Sequence, residues 1–256
     1  MRTIDDRVQL EIVGAMATLR LCRPRANAID PAMVEALLAA LDELEADDGV
    51  RGVMLCGAPG MFSAGLDVVS LYGLKPEEMA GFWNRFNELM LRLLDSRLII
   101  MSAIAGHSPA GGCVLAIMTD YRVMAEGRYK IGLNEVAVGI AMPQGVVEVF
   151  RSVVGHRQAE LLGLKGTLLS PAEAHRIGLV DELASVDDVE ARVEAELVRW
   201  LERSPSGQQA TKHFFRKRLV SKLRDSQTVD EAAFMDIWFH PDARKTLGAL
   251  VAQLSA

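Results

Sequence analysis

The run Leu98-Ile99-Ile100-Met101-Ser102-Ala103-Ile104 constrains this chain most. It does not alternate polar with apolar, so it fits a strand covered on both faces; a strand with one wet face alternates. Two covered faces require helices on each side, and the flanking sequence supplies them. Asp30-Pro31 opens a helix, with Asp as N-cap and Pro at the first helical position. Val34, Leu37, Leu38, Leu41 and Leu44 follow at helical spacing. A second helix is predicted over Pro76 to Asp95, with Met79, Phe82, Phe86, Leu89 and Leu93 on one face. Val8 to Val13 and Met16 to Leu21 alternate on either side of Gly14-Ala15, which reads as a hairpin. Gly52 to Cys56 is a short apolar strand, Gly57 to Gly65 a loop, and Gly111-Gly112 start an apolar helix through Met118. Asp120 to Ala125 and Tyr129 to Ile131 read as further short strands. Strand, helix and strand in this order predict an α/β fold with crossovers.

From about Leu201 no strand-like run recurs. Residues 201–225 hold Arg203, Lys212, Arg216, Lys217, Arg218, Lys222 and Arg224 against only Glu202 and Asp225. The chain therefore divides into a core over 1–200 and a helical region over 201–256. A chain of 256 residues buries enough surface to fold without disulfides or metals. Its net charge of −6 argues against nucleic-acid binding over the whole surface. Cys22, Cys56 and Cys113 are odd in number and lack CxxC spacing, so they read as buried thiols in a reducing compartment. The start Met1-Arg2-Thr3-Ile4-Asp5-Asp6 has no apolar signal region and no stretch is long enough to span a membrane. A cytoplasmic location without membrane association is expected.

Several chemistries lack their motifs. GxGxxG, GxxxxGK[ST] and HExxH are all absent, and the five histidines are scattered, so neither a nucleotide cofactor nor a metal is expected. Gly106-His107-Ser108 starts like a nucleophile elbow, but the next glycine, Gly111, comes one residue late. A serine hydrolase acting through Ser108 is the alternative this segment offers; otherwise Ser108 is a loop or cap residue.

Three other segments can carry chemistry. Phe62-Ser63-Ala64-Gly65-Leu66-Asp67 and Ala110-Gly111-Gly112-Cys113 are small-residue turns, the second before a helix. Facing N–H groups in such turns would form an oxyanion hole, although from spacing alone two ordinary turns are the better explanation. In Ile131-Gly132-Leu133-Asn134-Glu135 the acid is flanked by apolar residues. An apolar setting raises a carboxyl pKa and suits it to act as a base near neutrality, whereas a surface acid would be inert.

Together these segments resemble the crotonase, or enoyl-CoA hydratase/isomerase, superfamily. Arg23-Pro24-Arg25-Ala26-Asn27-Ala28 and Ser170-Pro171-Ala172-Glu173-Ala174, running into Gly178-Leu179-Val180-Asp181, complete the pattern in order. The resemblance implies a spiral of ββα units with a C-terminal helical region that trimerises, as a homotrimer or a hexamer of two trimers. It implies an acyl-CoA thioester substrate, with CoA as part of the substrate and no separate cofactor. The thioester oxygen would lie between the N–H groups of Leu66 and Gly111. Ala26 and Ala64 would offer backbone contacts to the nucleotide, Arg25 and Lys212 would meet phosphates, and Asp67 and Leu71 would lie on the acyl side.

The reaction depends on the acids. Hydratases of this family use two glutamates, one directly after the cysteine of the glycine-rich helix start. That position here is Val114, while the second is kept as Glu135. Val114 can neither hold nor activate water, but one carboxylate suffices to move one proton. Arg128-Tyr129 and Gly132-Leu133-Asn134-Glu135 resemble the Δ3,Δ2-enoyl-CoA isomerase branch, which acts in fatty-acid β-oxidation. Glu135 would take a proton from C2 of a 3-enoyl thioester and return it at C4. The alternatives are a weak hydratase, another single-carboxylate reaction, or a non-catalytic acyl-CoA or RNA binder that uses the basic stretch 212–224.

Overall fold

Strands β1 (Arg2–Ile4), β2 (Val8–Val13) and β3 (Met16–Leu21) form an antiparallel meander in the computed structural model, which describes residues 2–24 and 26–255. Helix α1 (Pro31–Ala46) follows, and its Asp30 cap accepts from the Met33 amide at 2.8 Å. Strand β4 (Gly52–Cys56) pairs in parallel with β3. The two-residue strand β5 (Gly60–Met61) then leads to α2 (Val68–Tyr72) and α3 (Pro76–Asp95). Strands β6 (Ile99–Ile104) and β7 (Gly106–Pro109) precede α4 (Gly111–Ile117); β8 (Tyr121–Ala125) and β9 (Ile131–Gly132) precede a 3₁₀ turn over Glu135–Val138. Each pass thus places one strand in a large sheet, a shorter one in a small sheet, and then a helix or helical turn. This is the ββα spiral.

The large sheet has the order β1-β2-β3-β4-β6-β8-β10, where β10 is Glu182–Ala184, and is parallel from β3 onward. Every residue of β4 and β6 is buried. Period-two geometry divides them between two faces. Val53, Leu55, Ile100 and Ile104 join the larger core with α1, α3 and α4. Met54, Cys56, Ile99, Met101 and Ala103 face Val189, Val193 and Leu197 of α8 (Val189–Leu201). Helices on both faces explain why the 98–104 run does not alternate. Ser102, its one polar residue, is buried with its hydroxyl 3.1 Å from that of Thr119.

Helices α5 (Gln144–Val154) and α6 (His156–Lys165) pack on each other, α5 also on α4 and α6 on the 3₁₀ turn, while α7 (Pro171–Arg176) packs on β10. Helix α9 (Pro205–Trp238) packs along α3 and α5, and its Val220, Leu223, Phe234 and Trp238 belong to the larger core. Helix α10 (Pro241–Ser255) packs on both α2 and the 3₁₀ turn. Its Arg244 stacks over the Tyr72 ring at 3.4 Å and donates to the Tyr72 carbonyl at 2.9 Å.

Three expectations are corrected here. Gly57 to Gly65 is not wholly loop, since Gly60–Met61 pairs with Gly106–His107. The strand expected over 129–131 is Ile131–Gly132, while Tyr129 instead sets its ring edge-on to His107. The basic stretch after 201 is not a free cationic face. Lys212 and Arg216 meet Asp120, Lys222 meets Glu148 and Arg224 meets Asp95. No helix among the described residues is long and apolar enough to cross a membrane.

Candidate active site

The small sheet, β5-β7-β9, is parallel throughout, so its three strands end at the same edge. Carboxyl ends of parallel strands are where α/β folds gather ligand-binding loops. Here they deliver Phe62–Asp67, Ala110–Gly111 and Leu133–Glu135 to one cavity of about 680 Å³. The remaining wall comes from the loop after β3 (Arg23, Pro24, Ala26, Ala28), from Val68, Val69 and Ser70 of α2, and from Trp83 and Phe86 of α3. Phe234 of α9 and Leu250 and Leu254 of α10 close it.

Hydrogen bonds around the first loop single out one amide. Ala64 N donates to Ala26 O at 2.9 Å, Gly65 N to Ser63 Oγ at 3.2 Å, and Asp67 N to Ile29 O at 2.9 Å. The Leu66 N–H between them has no protein acceptor among the described residues. On the second loop Ala110 N donates to Gly132 O at 2.8 Å. The next amide, Gly111, opens α4 and is likewise without a protein acceptor, as first-turn amides are. The two amides can lie side by side because neither turn carries a Cβ at the contact. A methyl at Gly65, whose φ is +88°, would stand 2.9 Å from Gly111 N. One at Gly111 would stand 3.1 Å from Leu66 N. Ala110 takes a φ of +47° to aim α4 at this point, a conformation that costs an L residue about 1–3 kcal/mol.

Glu135 enters from the third loop. It is 6% exposed, and its Oε2 is buried with no hydrogen-bond partner. Burial in a cavity wall that includes Val114 and Ile140, with no cation beside it among the described residues, pushes its pKa from 4.5 up to about 7. The other carboxylate lining the cavity, Asp67, is ion-paired to Arg23 at 2.5 Å and caps α2. Val114 lines the wall, 3% exposed, and adds no acid. The neighbouring Cys113 is fully enclosed, and burial raises its thiol pKa well above the usual range. The cavity thus presents one carboxylate free of a cation, two adjacent amide donors and otherwise mainly apolar walls.

The structure brings Glu135, Leu66, Gly111, Ala26, Ala64 and Asp67 together around this cavity. It does not bring Leu71 or Lys212. Leu71 is 0% exposed and packs into the core, because it points from α2 away from the cavity. Lys212 lies away from this cavity, its ammonium held by Asp120 at 2.8 Å and by the Leu98 carbonyl at 2.7 Å. Arg25 lies outside the described residues. Ser108 Oγ is buried without a partner, so no histidine activates it. Among the described residues no group of three or more His, Cys, Asp or Glu could hold a metal ion. Sequence reasoning missed Arg23, Asn134, Trp83, Phe234, Leu250 and Leu254. Arg23 and Asn134 adjoin motif residues and could have been found; the other four come from distant helices and carry no local signal.

Comparison with known proteins points the same way. The family model for enoyl-CoA hydratase/isomerase matches residues 11–254. "Enoyl-CoA delta isomerase 1, mitochondrial" of Mus musculus is 37% identical over 257 residues, covering 99% of this chain and 89% of that protein. The crystal structure of human mitochondrial delta3-delta2-enoyl-CoA isomerase superposes with a TM-score of 0.94 at 34% identity, covering 97% of this chain and 98% of that one. A "Probable enoyl-CoA hydratase" of Rhizobium meliloti is 28% identical, covering 98% of this chain and 97% of that protein.

Proposed function

The chain belongs to the enoyl-CoA hydratase/isomerase family, and from that premise we infer that it is a Δ3,Δ2-enoyl-CoA isomerase acting in fatty-acid β-oxidation. The observation that carries this reading is the solitary buried carboxylate of Glu135 facing a cavity whose other acid is already ion-paired. Its substrate is an acyl-CoA thioester with a double bond between C3 and C4. The thioester oxygen accepts from the Leu66 and Gly111 amides. Glu135, ionised, removes a proton from C2; the electron pair moves onto the thioester oxygen and gives a dienolate. The same carboxyl returns the proton to C4, the double bond shifts between C2 and C3, and the conjugated thioester leaves. No group other than the substrate's own CoA is needed.

Magnitudes fit this division of labour. One preset amide donor at an oxyanion is worth about 2.7–4 kcal/mol. A positioned base adds about 10²–10⁴ in rate, and most where its pKa lies near the operating pH, as a value of about 7 does. Hydration would require a second acid to activate water across the cavity, and Val114 occupies that wall. Ala26 and Ala64 serve the nucleotide through their backbone, Asp67 holds Arg23 at the cavity wall, and Arg25 meets a phosphate. Subunits assemble through the 201–256 region as a trimer or a pair of trimers; support comes from Phe214 and Phe215 of α9, the latter 85% exposed. The enzyme works in the cytoplasm, although the mouse relative is named mitochondrial; cell fractionation decides between the two. The test of function is direct. Purified protein should convert a 3-enoyl-CoA to its conjugated isomer, read by ultraviolet absorbance, far faster than it hydrates a 2-enoyl-CoA. Faster hydration than isomerisation would favour the hydratase alternative.

A further inference from the structure

We propose that the stacked rings of Trp83 and Phe234 form the distal stop of the acyl site and restrict this protein to short- and medium-chain 3-enoyl thioesters; the substrate class rests on the isomerase reading above. Trp83 and Phe86 lie one turn apart on α3 and both line the cavity. Phe234 reaches the same wall from α9, and its ring lies flat on Trp83, with centroids 3.6 Å apart and planes 3° from parallel. Phe86 and Trp238 back these rings at 5.9 Å and 5.6 Å. The wall is therefore a braced aromatic cluster between two packed helices, with little freedom to swing aside.

Its position gives it the function of a stop. Pro24, in the cavity-lining loop after β3, is exposed, whereas Trp83 is 1% exposed and Val146, which lines the same cavity, is fully buried. A tail that passes Glu135 towards these rings meets protein interior. A cavity of about 680 Å³ is the size of a drug-like ligand site and must hold the thioester and the reacting carbons as well as the tail. The Trp83 indole Nε1 is buried without an acceptor. An unpaired donor lowers stability, and phenylalanine would serve packing without that defect.

The experiment measures kcat/KM on 3-enoyl-CoAs from hexenoyl to hexadecenoyl for wild type, Trp83→Ala, Trp83→Phe and Phe234→Leu, with saturated acyl-CoA affinities by calorimetry in parallel. Wild type should fail on the longest chains. In the variants, the ratio of the first rejected chain to hexenoyl should rise by about 15-fold for two further buried methylenes, and by about fourfold for one in Trp83→Phe. Should Trp83→Ala not fold, the two milder variants carry the test. An unchanged ratio in folded Trp83→Phe and Phe234→Leu overturns the proposal, as does wild type accepting hexadecenoyl as well as hexenoyl; the tail would then leave between α2 and α10, past exposed Val69 and Leu254. If wild type isomerises no chain at all, the isomerase reading fails instead, and the saturated acyl-CoA affinities still report whether the stop exists.

Discussion

Replacing Glu135 by Gln should destroy activity and at the same time strengthen the fold, with both effects tied to one pKa. The folded carboxyl holds its proton up to about pH 7, whereas its ordinary value is 4.5. Between those limits the native state binds more protons than the unfolded chain, so stability falls as pH rises. The loss is complete above the folded value and amounts to about 3 kcal/mol at 1.36 kcal/mol per unit. Glutamine carries no charge and is spared it. Urea unfolding of the two proteins should therefore give similar stabilities near pH 4.5. The variant's advantage should grow through pH 7 to about 3 kcal/mol by pH 8–9. Over the same range wild-type kcat/KM should climb as the base ionises, while the variant stays about 10²–10⁴-fold lower. A stability gap that does not change with pH would refute the assigned burial of an unpaired acid. Isomerisation retained within about tenfold would refute its role as base.

Val114→Glu places a second carboxylate on the cavity wall; hydration of 2-enoyl-CoA should rise at least about tenfold relative to isomerisation, with a lowered thermal midpoint because the acid is buried. Gly111→Ala inserts a methyl 3.1 Å from the Leu66 amide and should cut kcat about 10²–10³-fold with a smaller change in KM, checked by steady-state kinetics. Lys212→Met removes one of the two cations on Asp120, whose side chain is 6% exposed and keeps Arg216 at 2.8 Å, and should cost about 1.5–3 kcal/mol by denaturant titration without altering KM for the thioester. A rise in KM alone would instead return Lys212 to the phosphate role.

Local signals in the sequence were strong where residues act near their own position. The Asp30 cap, the apolar face of α3 and the doubly covered β6 all follow from spacing, because capping and periodicity involve neighbours a few residues apart. Glu135 was legible only in part: of the apolar neighbours in sequence, Leu133 is buried and Val138 lines the cavity, but Val136 and Ala137 are exposed, and Val114 and Ile140 complete the apolar wall instead. Strands β5 and β7 were hidden because two to four residues rich in glycine and small side chains have no period to read. The partner of Lys212 was not legible, because a cluster of bases suggests a solvated face and only folding brings Asp120, ninety-two positions away, against it. Trp83 and Phe234 gave no warning, since their stacking depends on α9 lying along α3.

The division between the two sheets has a wider consequence. The seven-stranded sheet and its helices supply the cohesion, while the groups assigned to chemistry hang from three short parallel strands at one edge. A point change such as an acid at 114 can therefore redirect the reaction without disturbing the architecture that holds the thioester. Such a scaffold lets catalytic outcomes diversify by single substitutions, with most of the molecule left untouched.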